Sequence, residues 1–198
     1  ATDSLFDLAF EGGLSPNLVI PGIDSSREIN FGTRVWSEGL AFGATQERMS
    51  VSAELGGLFG LDSLSASATA DGDRIALDLF QASGDRSSLQ VAGEVILDSA
   101  FDLQATYFAE EIIGVPDAYS LGATGQGIEI TGSAVGPWRT PEVLVTLMAD
   151  QLTVAGGAFQ KVSVEANVPV DGKGGVSLDA ELASWGGRSL PGFSADIG

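Results

Sequence analysis

Apolar and polar residues alternate with a period of two along most of this chain, and turn-forming residues break the alternation at short intervals. Successive side chains of a strand point to opposite faces, so such runs read as half-buried β-strands. In "LQVAGEVIL", Leu89, Val91, Gly93, Val95 and Leu97 fall on one side and Gln90, Ala92 and Glu94 on the other. The same holds for Phe101, Leu103, Ala105 and Tyr107 against Asp102, Gln104 and Thr106, and for Val143, Val145, Leu147 and Ala149 against Glu142 and Thr146. It holds again for Val162, Val164, Ala166, Val168 and Val170 against Lys161, Ser163, Glu165 and Asn167. Turn signals lie between the runs: "DGD" from Asp71, "SGDRSS" from Ser83, "AGG" from Ala155 and "DGKGG" from Asp171. Strand, tight turn and strand in repetition predict an antiparallel meander. Helix is expected to be scarce, with room for one turn in "FAEEIIGVPDAYSL" from Phe108, ahead of Pro116.

The stretch "TGSAVGPWRTPEV" from Thr131 places Trp138 between Pro137 and Pro141. Proline has no N–H to give a central ladder, so the pair marks a strand end or the corner of a sheet that folds over. Trp138, like Trp36 and Trp185, reads as cover for such a corner.

Composition removes whole classes of chemistry. Histidine and cysteine are both absent, which excludes Ser-His-Asp triads, thiol nucleophiles, disulfides and the usual zinc sites. The net charge of −18 disfavours nucleic acid and electrostatic capture of anionic lipid, leaving apolar surface as the means of any lipid contact. With 44% hydrophobic residues the chain is too apolar for disorder. No run approaches the ~18 apolar residues of a spanning helix.

The start at Ala1 lacks an initiating Met and a signal-peptide pattern, so the chain is read as part of a longer protein. Residues 1–198 are expected to form a single elongated β-repeat domain, with two related units at roughly 1–100 and 101–198. The basis is an internal repeat: "LDSLSASATADGDRIALDLFQASGDRSSL" from Leu61 aligns with "FQKVSVEANVPVDGKGGVSLDAELASWGGRSL" from Phe159. Repetition favours an elongated, stackable structure. The apolar side of the sheet could be covered by a second sheet, by closure into a barrel, or by curling into a trough. Repeat and turn spacing favour the trough.

The segment "GQGIEITGSAVGPWRTPEVLVTLMADQLTVAGGAFQKVSVEANV" resembles the repeating unit of the TamB and wider AsmA-like family, with Gly125 or Gly127, Gly132, Pro141, Leu152, Gly156 and Gly157 at the corresponding places. The upstream "ASGDRSSLQVAGEVILDSAFDLQATYFAEEI" is similar to the same family's strand pairs, with Gly84, Leu89, Gly93 and Leu103 in place. The likeness extends over residues 55–198 and loosely over 1–54; the extra proline and Trp138 in the linker depart from it. It implies an all-β fold, a long antiparallel meander curled into a taco-like trough with an apolar interior. It also implies a periplasmic location within an inner-membrane-anchored protein, the anchor lying outside this sequence. The implied activity is passage of phospholipid acyl chains between inner and outer membranes, with a TamA-type outer-membrane barrel as partner and a possible part in outer-membrane protein assembly.

Under that reading the groove is lined by Val91, Val95 and Leu103, by Ile128 and Ile130, by Val143, Val145 and Leu147, and by Val162, Val164, Val168 and Leu178. No catalytic residue, metal ligand or cofactor is expected, and no nucleic-acid partner. The alternative is a secreted structural or adhesive β-repeat module without lipid transport, although the calcium nonapeptide of such adhesins is missing. Asp71 and Asp73 suit a hairpin turn better than a cation site. An enzyme working through paired carboxylates finds no distinctive pair here, and an outer-membrane barrel would need richer aromatic girdles and no outward charges such as Asp102, Lys161 and Glu165.

Overall fold

The alternating runs become strands, and the breaks at Asp71–Asp73, Ser83–Ser88 and Ala155–Gly157 become turns to the antiparallel neighbour, while the break from Asp171 lies partly outside the described residues. A computed structural model describes residues 4–14, 29–40, 44–111, 123–169 and 173–197. The strands are β1 (Ser4–Leu14), β2 (Ile29–Leu40), β3 (Ala44–Leu58), β4 (Leu61–Asp71), β5 (Arg74–Ser83), β6 (Ser87–Ile96), β7 (Ala100–Glu111), β8 (Thr124–Pro137), β9 (Glu142–Val154), β10 (Gly157–Val168), β11 (Gly175–Trp185) and β12 (Arg188–Ile197). They form one sheet whose spatial order is the chain order, β1 to β12, with every neighbouring pair antiparallel. The two aligned stretches of sequence fall on β4–β5 and on β10–β11.

Register gathers the apolar residues into rows that run across the sheet. One row passes from Leu64 on β4 through Ala82, Leu89, Tyr107, Ile130, Leu147, Val164 and Leu178 to Ala195 on β12. The same register continues backward from Leu64 to Ala53, Phe31 and Gly12. Beside it, on the opposite face, lies a polar row: Ser52, Ser65, Gln81, Gln90, Thr106, Thr131, Thr146, Glu165, Ser177 and Asp196. Directly opposed residues on one face are the unit of sheet stabilisation, so these rows set the register: a slip of one residue would turn every apolar row outward.

Apart from stray contacts, each strand packs only on its chain neighbours. Among the described residues no second sheet covers the apolar face and the first strand does not close on the last, so the fold is all-β and an open meander, neither sandwich nor barrel. Fully buried apolar side chains are correspondingly few among the described residues, Leu61, Ala82, Ala109, Ile128, Ala149 and Val162 being the most enclosed. The open sheet with one apolar face agrees with the expected curled trough.

A crease crosses the strands. Gly127, Asp150, Lys161, Glu181 and Gly192 take facing positions in the register of β8 to β12, and at each of them the ladder pairing lapses. Backbone φ is positive at Gly127 (60°), Lys161 (51°) and Gly192 (66°), on alternate strands. At this line two consecutive residues face outward, as with Asp150 and Gln151 or Lys161 and Gln160, and alternation resumes beyond it with Leu152 and Phe159 inward. Irregularities of this kind bend a strand and raise its twist. Aligned over five strands, they put the bend on one line parallel to the stacking direction. Ala109, Ile128, Ala149, Val162 and Ala180, small and large in alternation, pack along the inside of that line with Leu152 and Phe159 from its far side.

The prolines do not make this bend. Pro137 ends β8 and Pro141 stands just before β9, so they bound an ordinary turn, closed by Thr140 N–H donating to the Pro137 carbonyl at 3.1 Å. Trp138 packs on the neighbouring turn: its ring meets Phe101 edge-on with centroids 5.6 Å apart, and its Nε1 donates to the Ile96 carbonyl at 3.1 Å. The expected helical turn is absent at Phe108–Glu111, which complete β7, and its remainder lies outside the described residues, as does Val170.

Candidate functional site

All twelve groove candidates fall on the apolar face. Ile130, Leu147, Val164 and Leu178 belong to the central row. Val91 and Val145 share the next row with Ala105 and Gly132, and Leu103, Val143 and Val168 share the one after it with Gly93 and Ala134. Val95 opposes Phe101 nearer the turns. Ile128 and Val162 differ from the rest in being almost wholly enclosed at the crease, at 2% and 3% exposure, so they serve the bend rather than an open surface. Val168 is half exposed.

The side wall of the groove is fixed at β3–β4. The turn joining these strands folds inward over β5 and β6, where Ser87 Oγ donates to the Gly60 carbonyl and Tyr107 Oη donates to the Phe59 carbonyl at 2.8 Å. In a flat sheet β4 and β7 would be ~14 Å apart, three strand spacings, well beyond the reach of a tyrosine side chain. The hydrogen bond therefore requires the β3–β4 turn to reach in over β5 and β6. Close approach is made possible by Gly84, where a Cβ would lie 1.9 Å from the Gly60 carbonyl oxygen. Burial raises the pKa of the Tyr107 hydroxyl above its ordinary value.

Between this wall and the opposite turns lies an apolar hollow of about 250 Å³, lined by Val51, Leu64, Ala66, Ser67, Ala68, Leu77 and Phe80. The alanines of β4 leave the space: Ala66 opposes Val51 and Phe80, and Ala68 opposes Leu77. An extra residue in β5 at this point, Asp78, turns outward and accepts a hydrogen bond from Thr69 Oγ1 at 2.7 Å.

From β4 to β12, inward positions between the crease and the Asp71–Asp73 side carry no Asp, Glu, Lys or Arg. Their two hydroxyls, on Ser87 and Tyr107, are spent on the β3–β4 turn. Outside the crease, Lys161 Nζ donates to Asp150 Oδ1; that bond, with the charges of Asp150 and Glu181, raises the lysine pKa. Arg86 pairs with Glu111 at 2.9 Å and with Glu110 at 3.7 Å. No group of three or more acidic or metal-ligating side chains is arranged to hold a metal among the described residues, and no described helix is long and apolar enough to cross a membrane.

Comparison with protein families, curated proteins and solved structures finds no match.

The arrangement offers apolar surface in a curved sheet and, from β4 to β12 among the described residues, no Asp, Glu, Lys or Arg at its inward positions between the crease and the Asp71–Asp73 side. Sequence pattern alone identified the face. It missed Tyr107 and Ser87 as anchors of the wall, since their acceptors lie far along the chain, and it missed the crease, whose local signals are the glycines at Gly127 and Gly192.

Proposed function

We propose that this chain is a segment of a periplasmic β-trough of the TamB and AsmA-like kind that shields phospholipid acyl chains and conducts them between inner and outer membranes. The observation that carries this reading is the apolar row running strand by strand across the sheet with no layer packed over it. Burying a chain there is worth ~0.8 kcal/mol per methylene removed from water, so partial cover of two tails holds a lipid without a head-group site. The polar row on the opposite face keeps the outside wettable. The inner-membrane anchor and the contact with a TamA-type outer-membrane barrel belong, in this reading, to parts of a longer protein beyond these residues, and a part in outer-membrane protein assembly goes with them.

Native mass spectrometry of the chain purified from a bacterial periplasm, with small-angle scattering on the same monomeric sample, tests the reading. Retained phospholipid on an elongated particle is expected, twelve strands at ~4.8 Å spacing spanning roughly 50 Å. A lipid-free particle with a radius of gyration near the ~16 Å of a compact domain of this length would overturn it in favour of a structural or adhesive module.

A further inference from the structure

Resting on the lipid-trough reading, we propose that the hollow beside the β3–β4 turn is a seat for the end of a single alkyl chain, with Ala66 and Ala68 as the residues that set its size. Its walls are Val51, Leu64, Leu77 and Phe80, and its floor is the two alanines. Ser67, which also lines it, alternates to the outer face, where its register partners are Ser50 and Leu79. Glu47 stands opposite Ala70 in register and is not among the lining residues. A polar or charged ligand would leave water there without gaining a partner, so the occupant is hydrocarbon. At about 250 Å³ the hollow falls short of the ~300 Å³ at which pockets for whole small molecules begin, so it holds part of one chain and not a pair of tails.

The local structure builds this seat in three ways. The floor is small between large neighbours: Ala66 stands between Val51 and Phe80, and Ala68 opposes Leu77. The ladder from β5 to β6 lapses between Leu77 and Gln81, and Asp78 is an extra residue against β4, so β5 bulges at the edge of the hollow and takes Phe80 out of the regular pairing. The central row is closed alongside, for under the β3–β4 turn Leu61, Ala82 and Ser87 are buried, at 4%, 1% and 5% exposure. A tail following the central row from β12 towards β4 meets the turn held by Tyr107 and Ser87, and the rows of Ala66 and Ala68 are its way past. The hollow receives the chain end there and gives a lipid one fixed position in the groove.

The test uses the 198-residue chain stripped of lipid, with n-dodecyl maltoside below its micelle concentration as an uncharged single-chain probe, read by isothermal titration and native mass spectrometry. One probe per chain is expected at saturation, a readout that needs no variant. Ala66→Leu and Ala68→Leu fill the hollow with carbon, and each should weaken binding about tenfold while keeping the circular dichroism of the parent. Ala105→Leu adds the same side chain to the same face, beside Val91 and Gly132 and away from the hollow, and should change binding less than about twofold. Several probes per chain without saturation, equal weakening by all three variants, or no weakening by either hollow variant overturns the seat. So does a parent that retains phospholipid but takes no probe, and in each of these cases retained phospholipid leaves the trough reading in place. A parent that takes neither probe nor phospholipid overturns both.

Discussion

Tyr107 on β7 donates a hydrogen bond to the carbonyl of Phe59, 48 positions earlier, at 2.8 Å. Strands β4, β5 and β6 lie between them in the sheet order, so the bond marks how far the β3–β4 turn reaches over the apolar face. Tyr107→Phe keeps the ring and leaves the acceptor unpaired, at a cost of about 1 to 2 kcal/mol. The urea midpoint should fall accordingly, and limited proteolysis should cut sooner at Gly57–Gly60. An unchanged cutting pattern would mean that the turn is held without the tyrosine.

Gly84→Ala is the sharper test of the same wall. Its Cβ would collide with the Gly60 carbonyl, a backbone atom that cannot swing aside, so a loss of more than about 2 kcal/mol is expected. Gly72→Ala, in a turn with open space around it, should cost only the strain of a φ of 63°, about 1 kcal/mol. Chemical denaturation of the pair separates crowding from conformational strain.

Lys161 stands in the crease between Asp150 and Glu181. Lys161→Glu would line up three carboxylates on adjacent strands, so the thermal midpoint should drop at low ionic strength and recover largely at ~0.5 M salt. A drop that ignores salt would locate the lysine's importance in its left-handed backbone instead.

Alkaline pH should loosen the fold through two groups acting in the same direction. Tyr107 is neutral in both states below the ordinary tyrosine value of about 10; above it the unfolded chain ionises first, because burial raises the folded value, and stability declines as pH climbs between the two. Lys161, raised by its bond to Asp150, contributes fully below the ordinary lysine value of about 10.4, and that contribution disappears as pH passes the higher folded value. Urea midpoints between pH 8 and 11 should fall for the parent and fall less for Tyr107→Phe. With two tyrosines in the chain, tyrosinate absorbance in a Tyr119→Phe background reads Tyr107 alone and should show a midpoint above 10.

Val164→Asp and Thr146→Asp compare the two faces. Val164 belongs to the central apolar row and Thr146 to the polar row behind it. Bound phospholipid should fall at least about tenfold for the first and less than twofold for the second, since a carboxylate among acyl chains must be desolvated. Equal losses would detach lipid retention from the apolar face.

Alternation made the strands, the turns and the inward face legible from sequence, because a two-residue period is a local signal and the Asp71–Asp73, Ser83–Ser88 and Ala155–Gly157 breaks carry their own turn chemistry. The crease was not legible. It exists only once β8 to β12 are in register and Gly127, Asp150, Lys161, Glu181 and Gly192 come side by side, and a lysine with positive φ has no mark in sequence. Pro137 and Pro141 drew attention to a corner because proline announces a missing donor, while the actual bend uses residues that keep theirs. Tyr107 read as one more inward apolar position, its hydroxyl finding a partner that no window of neighbouring residues contains.

Because every strand pairs with the strand before it and the strand after it in the chain, the sheet has a built-in order of assembly. A newly delivered strand finds its template already waiting, and the loop to be closed is short at all but the β1–β2 and β7–β8 connections. A chain threaded across a membrane from one end could thus add its ladders one at a time, each step leaving a single growing edge for the next.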